Sequence, residues 1–208
     1  FECGPEIGWI ESGCAGGLSP EGISWAKNVE ESDKIFHRAA KLIAEGGIVA
    51  VKSLGGYHLV CDAANEAALA TLRQRKHRPG KAFAVMVASA EEARALCEVN
   101  DAEARQLTSP ARPIVLLRKR PDATFAKGLA DNLPELGVML PTTPVQHLLL
   151  HECGGMLVMT SGNIHDEPIV IDEETAFSQL AGVADAFLVN NREIVGRYDD
   201  SVIRILNG

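Results

Sequence analysis

The stretch RQRKHRPGKAFAVMV at residues 73–87 decides the fold. Its first part continues a helical pattern that stops at Pro79 and Gly80. Its last part belongs to an apolar run at 83–88 that is typical of a buried strand. A helix that leads directly into a buried strand indicates a layered α/β fold. Six basic side chains precede the strand within nine positions: Arg73, Arg75, Lys76, His77, Arg78 and Lys81.

The same alternation of patterns extends in both directions. Ser32 is a candidate N-cap for a helix that stops at Gly46. Asn65 is a candidate cap for a second helix that runs to about Lys76. Further helices are predicted directly after Ser89, at 145–152 and near 172–182. Strands are predicted at 48–53, 57–63, 83–88, 113–119, 137–141, 156–161, 186–190 and 201–206. We therefore expect an α/β fold with a twisted, mixed sheet and flanking helices.

Length and composition fit one globular domain. The chain has 208 residues, of which 46% are apolar and 23% are charged, so it can bury a core. Residues 1–31 are rich in glycine and have no sustained apolar period, and we interpret them as an N-terminal appendage. Residues 32–208 form the predicted domain. The chain begins at Phe1 rather than at a methionine, which suggests a piece of a longer protein.

Charge and cysteine content restrict the class of partner. The net charge of −8 argues against sequence-blind binding to nucleic acid, which depends on clustered cations. No apolar run reaches the roughly 18 to 20 residues that span a bilayer, so no membrane partner is expected. The five cysteines are scattered and odd in number, which favours free thiols and a cytoplasmic location: Cys3, Cys14, Cys61, Cys97 and Cys153.

The cations at the end of the second helix form the first candidate site. A solvated helix end, whose cations complement the helix dipole, is the ordinary interpretation of such a run. Here a strand follows directly, so we expect these side chains in a cationic hollow at the rim of the sheet, where α/β folds place ligands. Lys76, Arg78 and Lys81 together suit a triphosphate or the charge that develops in phosphoryl transfer.

A second polar set follows the strand predicted at 156–161. In MTSGNIHDEP, the side chains of Thr160, Ser161 and Asn163 offer neutral partners for phosphate or carbonyl oxygens. An ordinary turn is the alternative, because serine, glycine and asparagine are common turn residues.

A third set surrounds the entry to the last strand in VGRYDDSVIRI. Asp199 and Asp200 are able to hold Mg²⁺ or an arginine, but adjacent acids before a strand more often form a solvated loop. Ser201, at the start of the strand, is the better candidate for ligand contact. The other members of this set are Arg197 and Arg204, and weaker candidates elsewhere are Arg112 and the turn at 140–144.

Several known site patterns are absent from the sequence. It contains no GxxxxGK[ST] loop and no GxGxxG between a strand and a helix, so any nucleotide is not expected in a P-loop. No metal site is predicted, because Cys3 lacks the paired spacing of a closed zinc site. His58, His147 and His151 are interpreted as hydrogen-bonded structural residues.

Four motifs in this order resemble the YrdC family. They are a strand-turn-strand that ends in CDA, a K-x-R-P segment at a helix end, a T-S-x-N turn after a buried strand, and a serine that opens a late strand. In this chain they are Lys52–Ala63, Lys76–Pro79, Thr160–Asn163 and Ser201, and the match spans about residues 34–206. Two positions depart from the family pattern: Gly162 stands for alanine, and Ala82 stands for proline.

Within that family the sequence motifs most resemble those of the YrdC-like domain of HypF, the carbamoyltransferases of [NiFe]-hydrogenase maturation. The sequence segments that carry this resemblance include VKSLGGYHLVCDA, LRQRKHRPGKAFAVM, GVMLPTTPVQHLLL, LVMTSGN and RYDDSVIR. CGP at 3–5 resembles the end of the zinc-finger region that precedes this domain in such proteins. Residues 1–31 would then be a remnant of that upstream region.

The resemblance implies an activity and its partners. ATP and a carbamoyl group that originates from carbamoyl phosphate would react to give carbamoyl-adenylate and pyrophosphate, with Mg²⁺ expected on the phosphates. The carbamoyl group would then pass, through a following Kae1-like domain, to a cysteine of the partner protein HypE. Acylphosphatase-like and zinc-finger domains would come before this domain, and zinc would belong only to that upstream part.

The resemblance also implies roles for nine residues. Lys76 and Arg78 would be the catalytic residues that neutralise the phosphates and the carbamate. Lys52 stands where threonine-using relatives carry a neutral polar residue, which indicates a changed acyl substrate. Nucleotide and acyl binding would fall to Lys52, Lys81, Thr160, Ser161, Asn163, Arg197 and Ser201.

Two other functions stay open on the sequence alone. The first is a threonylcarbamoyl-adenylate synthase for tRNA modification, which shares the fold and the adenylate chemistry but needs a pocket for threonine. The second is a non-catalytic RNA-binding module that uses the basic segment 73–81, against which the overall acidity of the chain argues.

Overall fold

The computed structural model describes residues 5–13, 18–164 and 167–206. The strands in these ranges are β1 Ile7–Glu11, β2 Ser24–Trp25, β3 Val49–Lys52, β4 Tyr57–Asp62, β5 Ala84–Met86, β6 Cys97–Glu98, β7 Ile114–Lys119, β8 Glu135–Met139, β9 Leu157–Ser161, β10 Ala186–Asn190 and β11 Val202–Ile203. The α-helices are α1 Val29–Ala44, α2 Glu66–Arg75, α3 Ala90–Leu96, α4 Asp101–Leu107, α5 Pro144–Cys153 and α6 Glu173–Leu180, and Pro20–Gly22 forms one 3-10 turn. No helix in the described ranges is long and apolar enough to cross a membrane.

The eleven strands of these ranges join in one mixed sheet. From edge to edge the order is β11-β7-β8-β5-β9-β4-β3-β10-β1-β2, and β6 pairs with β7 off this path. The pairs β10 with β3, β5 with β8 and β11 with β7 are parallel, and the other pairs are antiparallel. The predicted α/β fold with a mixed sheet is thereby confirmed.

The sheet is covered on both faces. On one face, α1 and α5 pack against it through Phe36, Ile43 and Leu149. On the other face, α2 and α6 pack through Leu72 and Phe177. Strand β3 is buried along its whole length, which explains why its first three residues, Val49, Ala50 and Val51, are apolar without alternation.

The N-terminal part of the chain contributes two strands that the sequence analysis missed. β1 pairs antiparallel with β10 over its five residues, and β2 pairs with its other side. Trp9 is buried in the same core as α1 and α5. The run IGWIE contains Gly8 and lies in a glycine-rich stretch, which weakens the sequence signal of a strand.

The cysteines in the described ranges are thiols. Cys61 and Cys97 are buried, Cys153 is half-buried, and all three are free. Burial raises the pKa of each thiol, to about 12 for Cys61 and about 11 for Cys97. Cys3 and Cys14 lie outside the described residues.

The caps of the helices correct one prediction. Asn65 caps α2 as expected, since its side chain accepts hydrogen bonds from the backbone N–H groups of Ala67 and Ala68. The cap of α1 is Asn28 rather than Ser32, because the Asn28 side chain accepts from the N–H of Glu31 and the helix begins at Val29. Asparagine is a strong N-cap residue, and Asn28 precedes Ser32 by four positions, so the helix begins one turn earlier than predicted.

Replacing the true cap should therefore cost more stability than replacing the predicted one. We expect Asn28→Ala to lower the free energy of unfolding by about 1 kcal/mol, because the N–H of Glu31 loses its acceptor. Ser32→Ala is the matched control and should change it by less than about 0.5 kcal/mol. Urea unfolding of the two variants measures both values, and equal losses would contradict the assignment of the cap.

Candidate functional site

A hollow of about 570 Å³ opens where the end of α2 approaches the end of β9. The pairing of the strands brings these segments together. β5 runs antiparallel beside β9, with Ala84 opposite Met159, so the loop that leads into β5 lies next to the turn that leaves β9. The residues that line the hollow are Lys76, His77, Arg78, Pro79, Gly80, Lys81, Ser161, Asn163, Glu167 and Asp199.

Lys76 joins the end of α2 to the turn after β9. It is the C-cap residue of the helix, and only 4% of its surface is exposed. Its Nζ donates to the carbonyl oxygen of Ser161 at 2.5 Å, to that of Asn163 at 2.9 Å and to Asn163 Oδ1 at 2.6 Å. Burial, and next the charge of Arg78, lower the pKa of Lys76 from 10.5 to about 8. Lys76 therefore loses its proton more easily than an exposed lysine does.

Arg78 is held beside the same turn by polar and aromatic contacts. One terminal nitrogen donates to Thr160 Oγ1 at 3.2 Å, and the other donates to the carbonyl oxygen of Ala82 at 2.9 Å. The guanidinium lies 5.5 Å from the ring centre of Phe83. Burial, and then the charge of Arg73, lower the pKa of Arg78. Its Nε is buried and has no hydrogen-bond partner among the described residues.

The turn that faces these cations is tightly built. Ser161 Oγ donates to Asn163 Oδ1 at 3.0 Å, and Asn163 Nδ2 donates to the carbonyl oxygen of Glu167 at 2.6 Å. The N–H of Gly162 donates to the carbonyl oxygen of Tyr57 on the neighbouring strand. A Cβ at position 162 would lie 2.6 Å from that oxygen, so this approach of the two backbones requires glycine here.

Two carboxylates also reach the hollow. Asp199 lies close enough to Lys76 and Arg78 to oppose the lowering of their pKa values. Asp199 Oδ1 accepts a hydrogen bond from the backbone N–H of Asp200 at 3.0 Å. Glu167 lines the hollow on the side of the turn. The sequence analysis did not select Glu167, because nothing in its local pattern distinguishes it from a solvated acid.

Two members of the basic run have a supporting position instead of a place in the hollow. Arg73 donates to the carbonyl oxygens of Gly128, Arg78 and Lys81 at 2.7 to 3.0 Å and packs over the ring of Phe83 at 4.4 Å. Its guanidinium thus holds the loop that carries the cations of the hollow. Arg75 faces elsewhere, since it pairs with Asp185 at 2.7 Å.

A smaller apolar slot of about 240 Å³ adjoins the hollow and shares Arg78, Ser161 and Asp199 with it. Thr160 lines this slot, where it accepts the hydrogen bond from Arg78. The apolar walls are formed by Phe83, Ile114, Leu116, Met159 and Val202. The slot offers a place for a flat or apolar part of a ligand whose phosphates lie in the hollow.

The structure does not bring every predicted residue to the hollow. Lys52 is buried elsewhere, where its Nζ donates to Glu173 Oε1 at 2.5 Å and to the carbonyl oxygen of Asn190 at 3.2 Å. It lines a separate hollow together with Trp25. Arg197 and Ser201 are exposed, and the carbonyl oxygen of Ser201 accepts from the N–H of Ile114. The predicted residues that line the main hollow are Lys76, Arg78, Lys81, Ser161 and Asn163.

The chemistry of the hollow fits an anionic ligand. Three cations line the hollow together with hydroxyl and amide groups, and the space is large enough for several phosphate groups. In the part of the chain that the structure describes, no group of three or more His, Cys, Asp or Glu side chains is placed to hold a metal ion. Fold and hollow together define an α/β domain whose candidate phosphate site is formed without a P-loop.

Comparison with known proteins assigns the family. The model of the Sua5/YciO/YrdC family, which carries the description "Telomere recombination", matches residues 41–208. The chain belongs to this family. The likeness covers β3 to β11 and includes both segments that face each other across the hollow.

Carbamoyltransferases named HypF are the relatives found among curated proteins. The chain is 49% identical to HypF2 of Cupriavidus necator over 85% of its length, and 46% identical to HypF of Rhodobacter capsulatus over 98% of its length. These matches cover only 24% and 25% of the relatives, so the chain spans about a quarter of their length. The resemblance to the YrdC-like domain of HypF is confirmed.

Solved structures show the same likeness. A full-length HypF in a phosphate- and nucleotide-bound form superposes with a TM-score of 0.84 at 45% identity, over 98% of this chain and 25% of that one. HypF of T. kodakarensis superposes with a TM-score of 0.87 at 40% identity, over 99% of this chain and 25% of that one. Sua5 of P. abyssi, at 21% identity and a TM-score of 0.73 over 83% of this chain and 51% of that one, shares the fold.

The supporting position of Arg73 leads to a prediction about phosphate binding. Arg73→Lys keeps the charge but loses the planar fork that bonds several carbonyl oxygens, so the loop that carries Arg78 and Lys81 should loosen. We expect affinity for inorganic pyrophosphate, measured by titration calorimetry, to fall about tenfold. Arg118→Lys, at an exposed position of β7, is the control. A loss no greater than that of the control would show that Arg73 does not hold the loop.

Proposed function

We propose that this chain is the part of a carbamoyltransferase that forms carbamoyl-adenylate from ATP and a carbamoyl group that originates from carbamoyl phosphate. The observation that supports this most directly is the meeting of Lys76 and Arg78 with Ser161 and Asn163 around one hollow. The named activity of the HypF relatives and the nucleotide-bound form of one of them agree with it.

The proposed reaction needs positioning and charge neutralisation more than covalent help. Hydrolysis of carbamoyl phosphate by water first gives carbamate and inorganic phosphate. An oxygen of carbamate then forms a bond to the α-phosphorus of ATP, and the bond from that phosphorus to the bridging oxygen of pyrophosphate breaks. Carbamate and the departing pyrophosphate are both anionic, so they repel each other unless cations lie between them. Lys76 and Arg78 are placed to supply these cations, and they are the proposed catalytic residues.

The remaining side chains of the hollow have binding roles in this proposal. Lys81 assists in holding the phosphates, and Ser161 and Asn163 orient the α-phosphate and the carbamoyl group. Thr160 contributes indirectly, because it accepts a hydrogen bond from Arg78 and so helps to orient that guanidinium. The base and ribose of ATP are assigned to the hollow and its adjoining slot together, whose apolar walls accept a flat ring.

In this proposal Mg²⁺ binds in the same hollow together with the phosphates. The carboxylates of Asp199 and Glu167 are oxygen donors of the kind that Mg²⁺ prefers, and Mg²⁺ commonly binds through one or two carboxylates plus substrate phosphates. When bound, it would reduce the negative charge on the departing pyrophosphate. Zinc belongs, in this proposal, to the region upstream of the chain.

The rest of the proposal concerns the longer protein. The relatives are about four times as long as this chain, which leaves room for acylphosphatase-like, zinc-finger and Kae1-like domains. The carbamoyl group would pass onward to a cysteine of HypE in the cytoplasm, for [NiFe]-hydrogenase maturation. Residues 1–31 stay the proposed remnant of the upstream zinc-finger region and residues 32–208 the proposed YrdC-like adenylate-forming domain, but β1 and β2 join the sheet of that domain and α1 already begins at Val29.

ATP–pyrophosphate exchange tests the proposed reaction and its two catalytic residues. Exchange should depend on carbamoyl phosphate, or on carbamate supplied directly, and should fall at least about 100-fold in Lys76→Ala and Arg78→Ala, because each loses a charge that faces the reacting phosphate. Lys41→Ala and Arg118→Ala, at exposed positions away from the hollow, are the matched controls. Circular dichroism checks that each variant is folded.

Two outcomes of this experiment would contradict the proposal. An undiminished exchange rate in folded Lys76→Ala and Arg78→Ala would remove their assignment as catalytic residues. Exchange that needs threonine and bicarbonate, and ignores carbamoyl phosphate and carbamate, would identify a threonylcarbamoyl-adenylate synthase instead.

The lowered pKa of Lys76 predicts how ATP binding depends on pH. Binding requires the charged form of Lys76, so affinity should be highest below the pKa of about 8 in the free protein and should fall as pH rises through it. Phosphate groups lose their second proton at about pH 6 and do not interfere in this range. Titrations between pH 7 and pH 9.5 measure the effect.

Lys76→Arg is the control for this dependence. An arginine stays charged throughout the range, so the variant should lose the fall in affinity above pH 8 even if it binds ATP less tightly at pH 7. Parallel slopes in the two proteins would show that another group controls the pH dependence.

A further inference from the structure

The segment between β10 and β11, residues 191–201, closes one side of the hollow. We call this segment the strap. Its last part places Asp199 in both the hollow and the adjoining slot, and Asp200 and Val202 also line the slot. Apart from its ends, the strap has no helix or strand of its own. Its position over the site therefore depends on a few contacts with the sheet.

One contact is made by the backbone near its middle. The N–H of Tyr198 donates to the carbonyl oxygen of Gly55 at 3.2 Å. A Cβ at position 55 would lie 2.4 Å from the carbonyl oxygen of Tyr198, so the strap approaches the turn between β3 and β4 more closely than any other residue would permit. This contact fixes the height of the strap above the sheet, but it does not orient the side chains beyond it.

The second contact is a hydrogen bond between a buried histidine and a carboxylate of the strap. His58 Nε2 lies 2.9 Å from Asp200 Oδ2, and 6% of the His58 surface is exposed. His58 is directly opposite Ser161 in the register of β4 and β9, so the two side chains stand on the same side of the sheet. His58 Nδ1 is buried and has no partner among the described residues. The bond to Asp200 is thus the polar contact that the structure gives this imidazole.

The pair is also linked by one hydrogen bond to the carboxylate of Asp199. The backbone N–H of Asp200 donates to Asp199 Oδ1, so a fixed Asp200 fixes its neighbour. Asp199 is near enough to Lys76 and Arg78 to raise their pKa values against the effect of burial. Its place in the hollow is therefore coupled, through Asp200, to the side chain of His58.

We propose that His58 and Asp200 are positioning residues for the nucleotide. The pair holds the strap against β4 and so positions the wall of the hollow before the ligand binds. Asp199 and Asp200 form this wall, and neither member of the pair is a catalytic residue. Loosening the strap adds an ordering cost to binding, which weakens affinity for ATP. This inference rests on the proposed function only for the identity of the ligand.

Asp200→Ala is the main variant, because it removes the carboxylate from a partly exposed position and leaves the core intact. We expect two effects. The affinity for ATP with Mg²⁺ should fall about tenfold, as KM for ATP rises while kcat of exchange stays within about twofold. Hydrogen exchange at the amides of 198–200 should become faster in the nucleotide-free chain. Asp200→Asn, which keeps an oxygen acceptor of the same size, should restore most of both properties.

Matched variants separate positioning from general destabilisation. Asp122→Ala removes an exposed acid whose partner Arg120 is also exposed. This variant should change neither the affinity for ATP nor the rate of hydrogen exchange at the amides of the strap. In a double-mutant cycle, His58→Gln should cost little once Asp200 is alanine, because the two side chains act through one contact.

Each outcome decides the matter. The inference would be overturned if Asp200→Ala bound ATP as tightly as the wild type. It would also be overturned if the variant bound ATP more weakly but hydrogen exchange at the amides of 198–200 were unchanged. Additive losses in the double-mutant cycle would also overturn it. If the unmodified chain binds no ATP, the proposed function fails. Hydrogen exchange in the nucleotide-free chain still shows whether the contact between His58 and Asp200 holds the strap.

Discussion

The charge of Lys76 is the constraint on which the candidate site depends. An ammonium that is almost fully buried needs oxygen acceptors in place of water, since an unpaired charge in the interior is costly. Its three acceptors all belong to the turn at 161–163, so satisfying this charge also fixes the turn against the end of α2. Two segments that are about 85 residues apart in sequence are thereby joined. The hollow between them is largely preformed for its ligand.

The basic run at 73–81 divides into ligand-facing and supporting residues, and the path of the chain makes the division. Arg73 and Arg75 are still on the helix, where their guanidinium groups bond to neighbouring carbonyl oxygens or to Asp185. Lys76, Arg78 and Lys81 come after the helix and line the hollow. Because both groups consist of basic side chains, charge alone does not separate them. The distinction requires the position at which the helix ends.

The sequence was informative where one chemical preference dominates a segment. Long apolar runs identified β3, β4, β9 and β10, and Asn65 identified the start of α2. Prediction failed for β1, which contains Gly8 and lies in a glycine-rich stretch, and for the cap of α1, which is Asn28 rather than Ser32. It also gave no warning that Lys52 has Glu173 as its partner, because that pairing joins positions 121 residues apart. The residues that line the candidate hollow were selected through their charged and hydroxyl side chains, whereas Glu167 carries no local signal.

The strand β1 has a consequence for any attempt to shorten the chain. It covers the backbone of β10 along Ala186–Asn190, whose sequence AFLVN has no charged residue. A version that starts at residue 32, or at the first residue of the family match, would leave this row of N–H and C=O groups open to solvent. Such an uncovered apolar border readily recruits strands from other molecules, so the segment before α1 acts as a protective cover against self-association.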